Sequence, residues 1–427
     1  MSKNNRKDEQ FCSFCNGSNH DVGALIEGAI KFENGKPALI CTKCVESCGS
    51  IILANRKSKK NRSVKISQLD FEMLKKNIPT PKQIVNFLDQ HVIGQENAKK
   101  NLAVACHDHY IRIYTNKSDD DVQIEKSNVL LIGPTGSGKT LLCKMLAKLL
   151  QVPFALGDAT SVTEAGYVGE DVENLVLKLI READFDINAA QRGILMIDEI
   201  DKTRRSSGNT SITRDVSGEG VQQSLLKMIE GSVLNVPPHG GRKHPEQNFI
   251  EIDTTNILFV CAGTFVGLNK IIANRLNKSR VGFGADNQRR KKDECFIEYV
   301  TNEDLFEFGM IPELVGRVPV ISTLKELSVE DLCHVLTEPK NSLIKQQQKL
   351  IGMYGHHLEF TDEAIEEIAL EAKKRKTGAR GLKGILEEIM LPLKYNLPEC
   401  DSSTIEITKA VVKGEKQIFP DDSEAAA

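Results

Sequence analysis

The hydrophobic pattern divides the 427-residue chain into stretches of different texture. From residue 80 two amphipathic runs read as helices, one opened by Pro81 and continuing to Asp89, the other over 96–114 after Gly94. Proline suits a first helical turn because the N–H it lacks would have no intrahelical partner there. Short β-rich apolar runs follow at 128–132, 152–156, 194–197 and 256–260, with helical segments such as 141–150 between them. Strands alternating with helices imply βα units and a mostly parallel sheet. The runs do not alternate apolar with polar, as strands covered on both faces should not. Beyond Pro319 the pattern turns helical, with amphipathic stretches at 329–349, 362–376 and 382–395 around a short β segment at 357–360. The fold class is α/β: a parallel-sheet large domain followed by a small, mainly helical one.

The flanks differ. Residues 11–54 contain few large aliphatics, too few for a core without a cross-link, and residues 55–65 carry six basic side chains in eleven with no apolar period. That second composition suits a solvated linker better than a nucleic-acid patch. The expected division is therefore 1–54, a linker over 55–79, a large domain over 80–320, a small domain over 321–415 and a disordered tail over 416–427. An acidic loop at 118–121 and a polar, Arg/Lys-rich, mobile loop at 277–294 interrupt it.

Composition narrows the function. Lys plus Arg number 56 against 59 Asp plus Glu, a net charge of −3, so bulk charge predicts neither nucleic acid nor anionic membrane as a partner. No apolar stretch approaches the ~18 residues of a membrane span, and residues 1–10 lack a signal-peptide core. A soluble, intracellular, cytoplasmic protein is expected.

Three motifs carry chemistry. Gly133-Pro134-Thr135-Gly136-Ser137-Gly138-Lys139-Thr140 matches the phosphate-binding loop and falls between a predicted strand and the helix that Leu141 begins. Its glycines let backbone N–H groups curl toward phosphate oxygens at a helix N-terminus, Lys139 bridges β- and γ-phosphates, and Thr140 holds magnesium. The run 194–197 ends in Asp198 and Glu199, with Asp198 directed to the magnesium shell and Glu199 able to polarise an attacking water, so hydrolysis of ATP is implied. Cys12, Cys15, Cys41 and Cys44 form two Cys-x-x-Cys pairs, which suit a zinc ion in a reducing compartment although their 25-residue spacer is long. A redox role would need a thioredoxin-like βαβ scaffold, which nothing near residue 12 supplies. Cys48, one helical turn beyond Cys44, is either an alternative ligand or a packed thiol.

Together these motifs and the helical C-terminal domain resemble the Clp/HSP100 family of AAA+ ATPases, protein unfoldases, over nearly the whole chain. The four-cysteine module, Gly166-Tyr167-Val168-Gly169 and Arg242-Lys243-His244 carry the resemblance furthest. It implies a small treble-clef-like zinc-binding domain ahead of the AAA+ large and small domains, and a six-subunit ring. Tyr167 and Val168 would line its central pore, Arg214 would lie on a second pore loop, and Arg242, Lys243 and His244 would form a cationic entrance for the carboxylate of a substrate tag. A bulky aromatic on a Gly-flanked loop can grip a polypeptide without reading its sequence.

By the same resemblance Arg317 is the arginine finger reaching a neighbouring subunit's γ-phosphate, Arg380 the second-sensor arginine, and Val92 with Ile93 the apolar strip against adenine. Val281-Gly282-Phe283 resembles the tripeptide that docks on the ClpP peptidase, with valine where isoleucine or leucine is usual. The missing methylene is worth up to ~0.8 kcal/mol per loop, a loss that several loops acting together offset. The resemblance thus implies a homohexameric, ATP-driven unfoldase and translocase that takes tagged proteins and adaptors, delivers clients to ClpP and also acts as a chaperone without it. No Gly-x-Ser-x-Gly elbow or His-Glu-x-x-His motif marks a peptidase in this chain. The rivals are a nucleic-acid motor or clamp-loading ATPase with a zinc finger, and a nucleotide-regulated holdase.

Overall fold

The computed structural model describes residues 11–22, 24–31, 37–45, 78–115, 124–163, 171–205, 218–238, 249–278, 296–397 and 404–416. The chain divides into two units, Met1–Glu72 and Met73–Ala427. Residues 55–77 of the expected linker, the acidic loop at 118–121, residues 417–427 of the expected tail and all but the first two residues of the loop at 277–294 lie outside the described residues.

In the first unit β1 (Leu25–Lys31) and β2 (Pro37–Cys41) pair antiparallel, with Leu25 opposite Cys41 and Ile26 opposite Ile40. The segment before them closes onto the hairpin where the Ser13 N–H donates to Leu39 O at 2.7 Å. Among the described residues of this unit the buried apolar side chains are Cys12 and Cys41, so its interior is made of thiols rather than aliphatics.

The second unit is built on a five-stranded, wholly parallel sheet. Its strands are β3 (Val129–Ile132), β4 (Phe154–Asp158), β5 (Ile194–Asp198), β8 (Leu258–Gly263) and β9 (Val320–Thr323), in spatial order β4-β5-β8-β3-β9. Successive residues feed opposite faces. Leu130, Ile132, Leu195, Ile197, Phe259 and Cys261 join a core with helices Glu173–Glu182 and Glu219–Glu230. Val129, Leu131, Ile194, Met196, Val260 and Ala262 join the other, with helices Pro81–Asp89, Glu96–Thr115 and Lys139–Leu150. Burial on both faces accounts for the missing alternation.

Four of the five strands lie where the apolar runs predict them. The fifth, β9, and an antiparallel hairpin of β6 (Val233–Val236) and β7 (Ile250–Asp253) were not expected; each is short and carries polar residues, so none forms the continuous apolar run that marks β3. The expected amphipathic run 329–349 is corrected to two helices, Val329–Thr337 and Leu343–Gly352. Pro339 separates them: Glu338 still has α geometry and donates to His334 O, but Pro339 has no N–H with which to continue the ladder. Ser342 then restarts the helix by capping the Lys345 N–H. With helices Asp362–Lys374 and Ala379–Asn396 and the parallel pair β10 (His357–Phe360) and β11 (Thr404–Ile407), they enclose a separate core around Leu336, Ile351, Ile368 and Leu386.

Candidate active site and metal centre

Residues 133–138 join the C-terminal end of β3 to helix Lys139–Leu150. Gly136 and Gly138 adopt φ of 78° and 99°, the left-handed region that side chains disfavour, and so turn the loop back on itself. The Gly133 N–H donates to Gly263 O at 3.1 Å, which pins the loop to β8. Lys139 is buried beneath the loop, its ammonium donating to Gly133 O at 2.6 Å and Pro134 O at 2.9 Å. Burial lowers its pKa and Asp198 and Asp201 oppose that shift, while the Arg380 charge adds to it; all three side chains therefore act on one ammonium.

At the end of β5, Asp198 is half-buried and Glu199 exposed. The Glu199 N–H donates to Asp198 Oδ1 at 2.9 Å, and Glu199 itself has φ of 57°, which turns its side chain out of the strand. Since β8 lies between β3 and β5, the phosphate loop and the acid pair face each other across one strand's width at the same edge. Ligands of open α/β sheets bind there.

Two residues at this edge escaped the sequence. Asp201 is 4% exposed, and its carboxylate accepts from the Thr264 N–H at 3.3 Å, the Thr264 hydroxyl at 3.1 Å and the Phe265 N–H at 3.2 Å. It thereby fixes Thr264 at the tip of the strand between loop and acids. The available signal was its partner Thr264, a polar residue directly after the buried strand β8. Gln95, with φ of 63°, donates through Nε2 to Lys325 O at 2.8 Å and to Ser137 O at 3.4 Å, and accepts from the Lys325 N–H at 2.9 Å.

The small domain also closes on the phosphate loop. The Ala379 N–H donates to Gly136 O at 3.3 Å, and a Cβ on Gly136 would come within 2.7 Å of Thr377 O. Arg380, exposed in the first turn of helix Ala379–Asn396, is thus brought beside the loop. Val92 is 5% exposed, and a Cβ on Gly138 would touch it at 3.7 Å, while Ile93 is half-buried. Pro134 and Thr140 are half-buried, and Thr135 and Leu141 are exposed. Arg317 is elsewhere. Its carbonyl accepts from Asn128, the residue before β3, so roughly 17 Å of strand at ~3.3 Å per residue lies between it and Gly133.

The Sγ atoms of Cys12, Cys15, Cys41 and Cys44 all lie within 4.8 Å of one another, and Cys15 and Cys41 are 3.8 Å apart. Four thiolates about 2.3 Å from one tetrahedral zinc would be about 3.8 Å apart, so the residues fit the ion. Burial pushes the Cys12 thiol up, but N–H groups turned to its sulfur, including those of Phe14 and Cys41, overcome this and bring it down to about 6. The Cys41 thiol, with burial, pushes Cys44 up to about 12. Tyr167, Val168, Arg214, Arg242, Lys243, His244, Val281, Gly282, Phe283 and Cys48 lie outside the described residues.

A parallel sheet with a phosphate loop, an acid pair one strand away and a small helical domain against the loop defines an AAA ATPase. The family described as AAA domain (Cdc48 subfamily) matches residues 124–321, and the C-terminal, D2-small domain of ClpB protein matches 327–396. Two curated relatives, both named ATP-dependent Clp protease ATP-binding subunit ClpX, come from Porphyromonas gingivalis strains ATCC 33277 and W83. Each is 45% identical over 417 residues, covering 97% of this chain and 98% of the relative. The chain belongs to the ClpX family of Clp ATPases. It is an ATP hydrolase and not itself a peptidase. No helix among the described residues is long and apolar enough to cross a membrane.

Proposed function

We propose that the chain assembles into a cytoplasmic homohexamer that hydrolyses ATP at its subunit boundaries, unfolds tagged proteins through a central pore and delivers them to a ClpP peptidase, with chaperone activity of its own when ClpP is absent. The observation that carries this reading is the separation of Arg317 from its own phosphate loop along the full length of β3. An arginine at the far end of the strand can complete only a neighbour's site, so activity requires a ring.

Within one site residues 133–138 cradle the phosphates with backbone N–H groups, and Lys139 leaves its carbonyl partners for the β- and γ-phosphates. Thr140 and Asp198 would hold magnesium, which would supply positive charge to neutralise the phosphates. Glu199 takes a proton from the attacking water, and Val92 and Ile93 bear on adenine. Arg380 follows the nucleotide from the small domain, so hydrolysis changes the angle between the domains. That motion is transmitted to Tyr167 and Val168 on one pore loop and Arg214 on another, while Arg242, Lys243 and His244 attract a tag's carboxylate. Val281, Gly282 and Phe283 dock the peptidase. Cys12, Cys15, Cys41 and Cys44 bind zinc and organise residues 1–54, ahead of a linker to residue 79, a large domain to 320 and a small domain to 415. Both P. gingivalis relatives carry the name of a Clp protease subunit, which supports the ClpP assignment.

The test is a stably folded, tagged fluorescent protein incubated with the full chain and ATP, with and without ClpP. Fluorescence should fall in both, peptides should appear only with ClpP, and Tyr167→Ala should slow the loss at least ~ten-fold by removing the aromatic grip. Undiminished fluorescence under every tag would sink the unfoldase reading.

A further inference from the structure

At the end of β3 opposite the phosphate loop, one buried side chain binds three separate elements. The Asn128 carboxamide, 2% exposed, donates to Arg317 O at 2.8 Å and Ile229 O at 3.3 Å, and accepts from the Phe259 N–H at 3.3 Å. Both donors and the acceptor oxygen are thus used on backbone, which fixes residues 229 and 317 relative to β3 and β8. Glu230 ends helix Glu219–Glu230 and accepts from Arg317 Nε at 2.8 Å.

The side chains of that ion pair are 53% and 41% exposed, so it adds little to stability. Its value is geometric. A guanidinium held through Nε keeps its two terminal nitrogens for a phosphate, which they can meet as a fork. Free in solvent, the same long side chain would sample many rotamers and pay their entropy at each encounter.

We propose that Asn128 and Glu230 are positioning residues for Arg317: Asn128 fixes the backbone at residue 317, and Glu230 aims the guanidinium toward the neighbouring subunit. The proposal rests on Arg317 acting on that neighbour's nucleotide. Neither residue touches the nucleotide of its own chain, since both lie at the strand end away from Gly133. Their effect is therefore on turnover next door, not on binding at home.

The experiment measures kcat and KM for ATP in rings of the full chain carrying Arg317→Ala, Glu230→Ala, Glu230→Gln or Asn128→Ala, with a melting curve for each. Arg317→Ala should lower kcat ~100-fold or more, in the manner of arginine fingers. Glu230→Ala should lower it ~ten-fold with KM within about two-fold, because loosened positioning costs turnover rather than affinity. Glu230→Gln keeps an acceptor oxygen and should recover most of the rate. Asn128→Ala should resemble Glu230→Ala; if its melting curve shows that it does not fold, the Glu230 pair decides.

Mixed rings separate positioning from general damage. A Glu230→Ala subunit has an intact phosphate loop, so ringing it with Glu199→Gln subunits, which keep a sound Arg317, should raise the rate per Glu230→Ala subunit toward wild type. A normal kcat in Arg317→Ala would overturn the reading of Arg317 and this proposal with it. A large loss in Arg317→Ala with a normal kcat in Glu230→Ala and Asn128→Ala would overturn the proposal alone. So would a Glu230→Ala defect that mixed rings do not relieve.

Discussion

In the cysteine module the side chains most completely withdrawn from solvent are Cys12 and Cys41, whereas in the ATPase domain they are the aliphatics and Phe259 on the two faces of a five-stranded sheet. The module's described core is a set of four sulfurs within 4.8 Å, and its stability is the binding energy of whatever joins them. The sheet instead carries its site on an aliphatic scaffold, and the phosphate loop is tied to it through Gly263 O and to the small domain through the Ala379 N–H. The difference teaches where each region is vulnerable: one to loss of a metal, the other to a misplaced atom in its loop.

The largest expected effect tests the first half of that contrast. Replacing Cys12 and Cys41 together by Ser should take bound zinc from about one ion per chain to none and unfold the module, while ATP affinity stays within about two-fold of wild type. Metal analysis and nucleotide titration on the same preparation decide it. Zinc retained by the double variant would refute the ligand set, and a parallel loss of nucleotide affinity would refute the independence of the two regions.

Gly136→Ala addresses the second half. A Cβ there meets Thr377 O at 2.7 Å on a backbone with φ of 78°. Strain of ~1–3 kcal/mol in a loop that must bind phosphate should weaken ATP by ~5- to 150-fold, with zinc content unchanged. Wild-type affinity would show that the small domain does not hold the loop as closely as the structure has it.

A smaller effect separates the regions by pH. His109 is 1% exposed with one ring nitrogen 3.1 Å from Asn256 O, and burial brings its pKa down to about 3, helped by the charges of Arg112 and Lys126. The unfolded chain then takes up a proton near pH 6.5 that the folded chain refuses, so the ATPase domain loses stability as pH falls from about 6.5 toward 3. At ~1.4 kcal/mol per unit the loss is at most about 2 kcal/mol by pH 5. Melting curves at pH 7 and 5 should differ less for His109→Gln than for wild type. An unchanged difference would acquit His109.

What the sequence made legible follows the same division between local and distant. The phosphate loop and the Cys-x-x-Cys pairs are contiguous, so their chemistry is written in spacing. Asp201 reaches Thr264 across 63 residues and Gln95 reaches Lys325 across 230, and neither has a local signature because the fold creates the neighbour. Strand β9 was missed because Ser322 and Thr323 cut its apolar run to two residues, and the break at Pro339 was hidden inside a continuous amphipathic pattern. The resemblance to AAA+ unfoldases supplied Arg317 and Arg380, but not the carboxamide and carboxylate that bear on Arg317.

The central claim is that hydrolysis, not nucleotide binding, drives unfolding, and Glu199→Gln tests it most directly. At saturating ATP, confirmed by titration, the variant should form rings and bind nucleotide as wild type does yet leave a tagged fluorescent client folded over many wild-type turnover times. Continued loss of client fluorescence at the wild-type rate, with ATP uncleaved, would contradict the account.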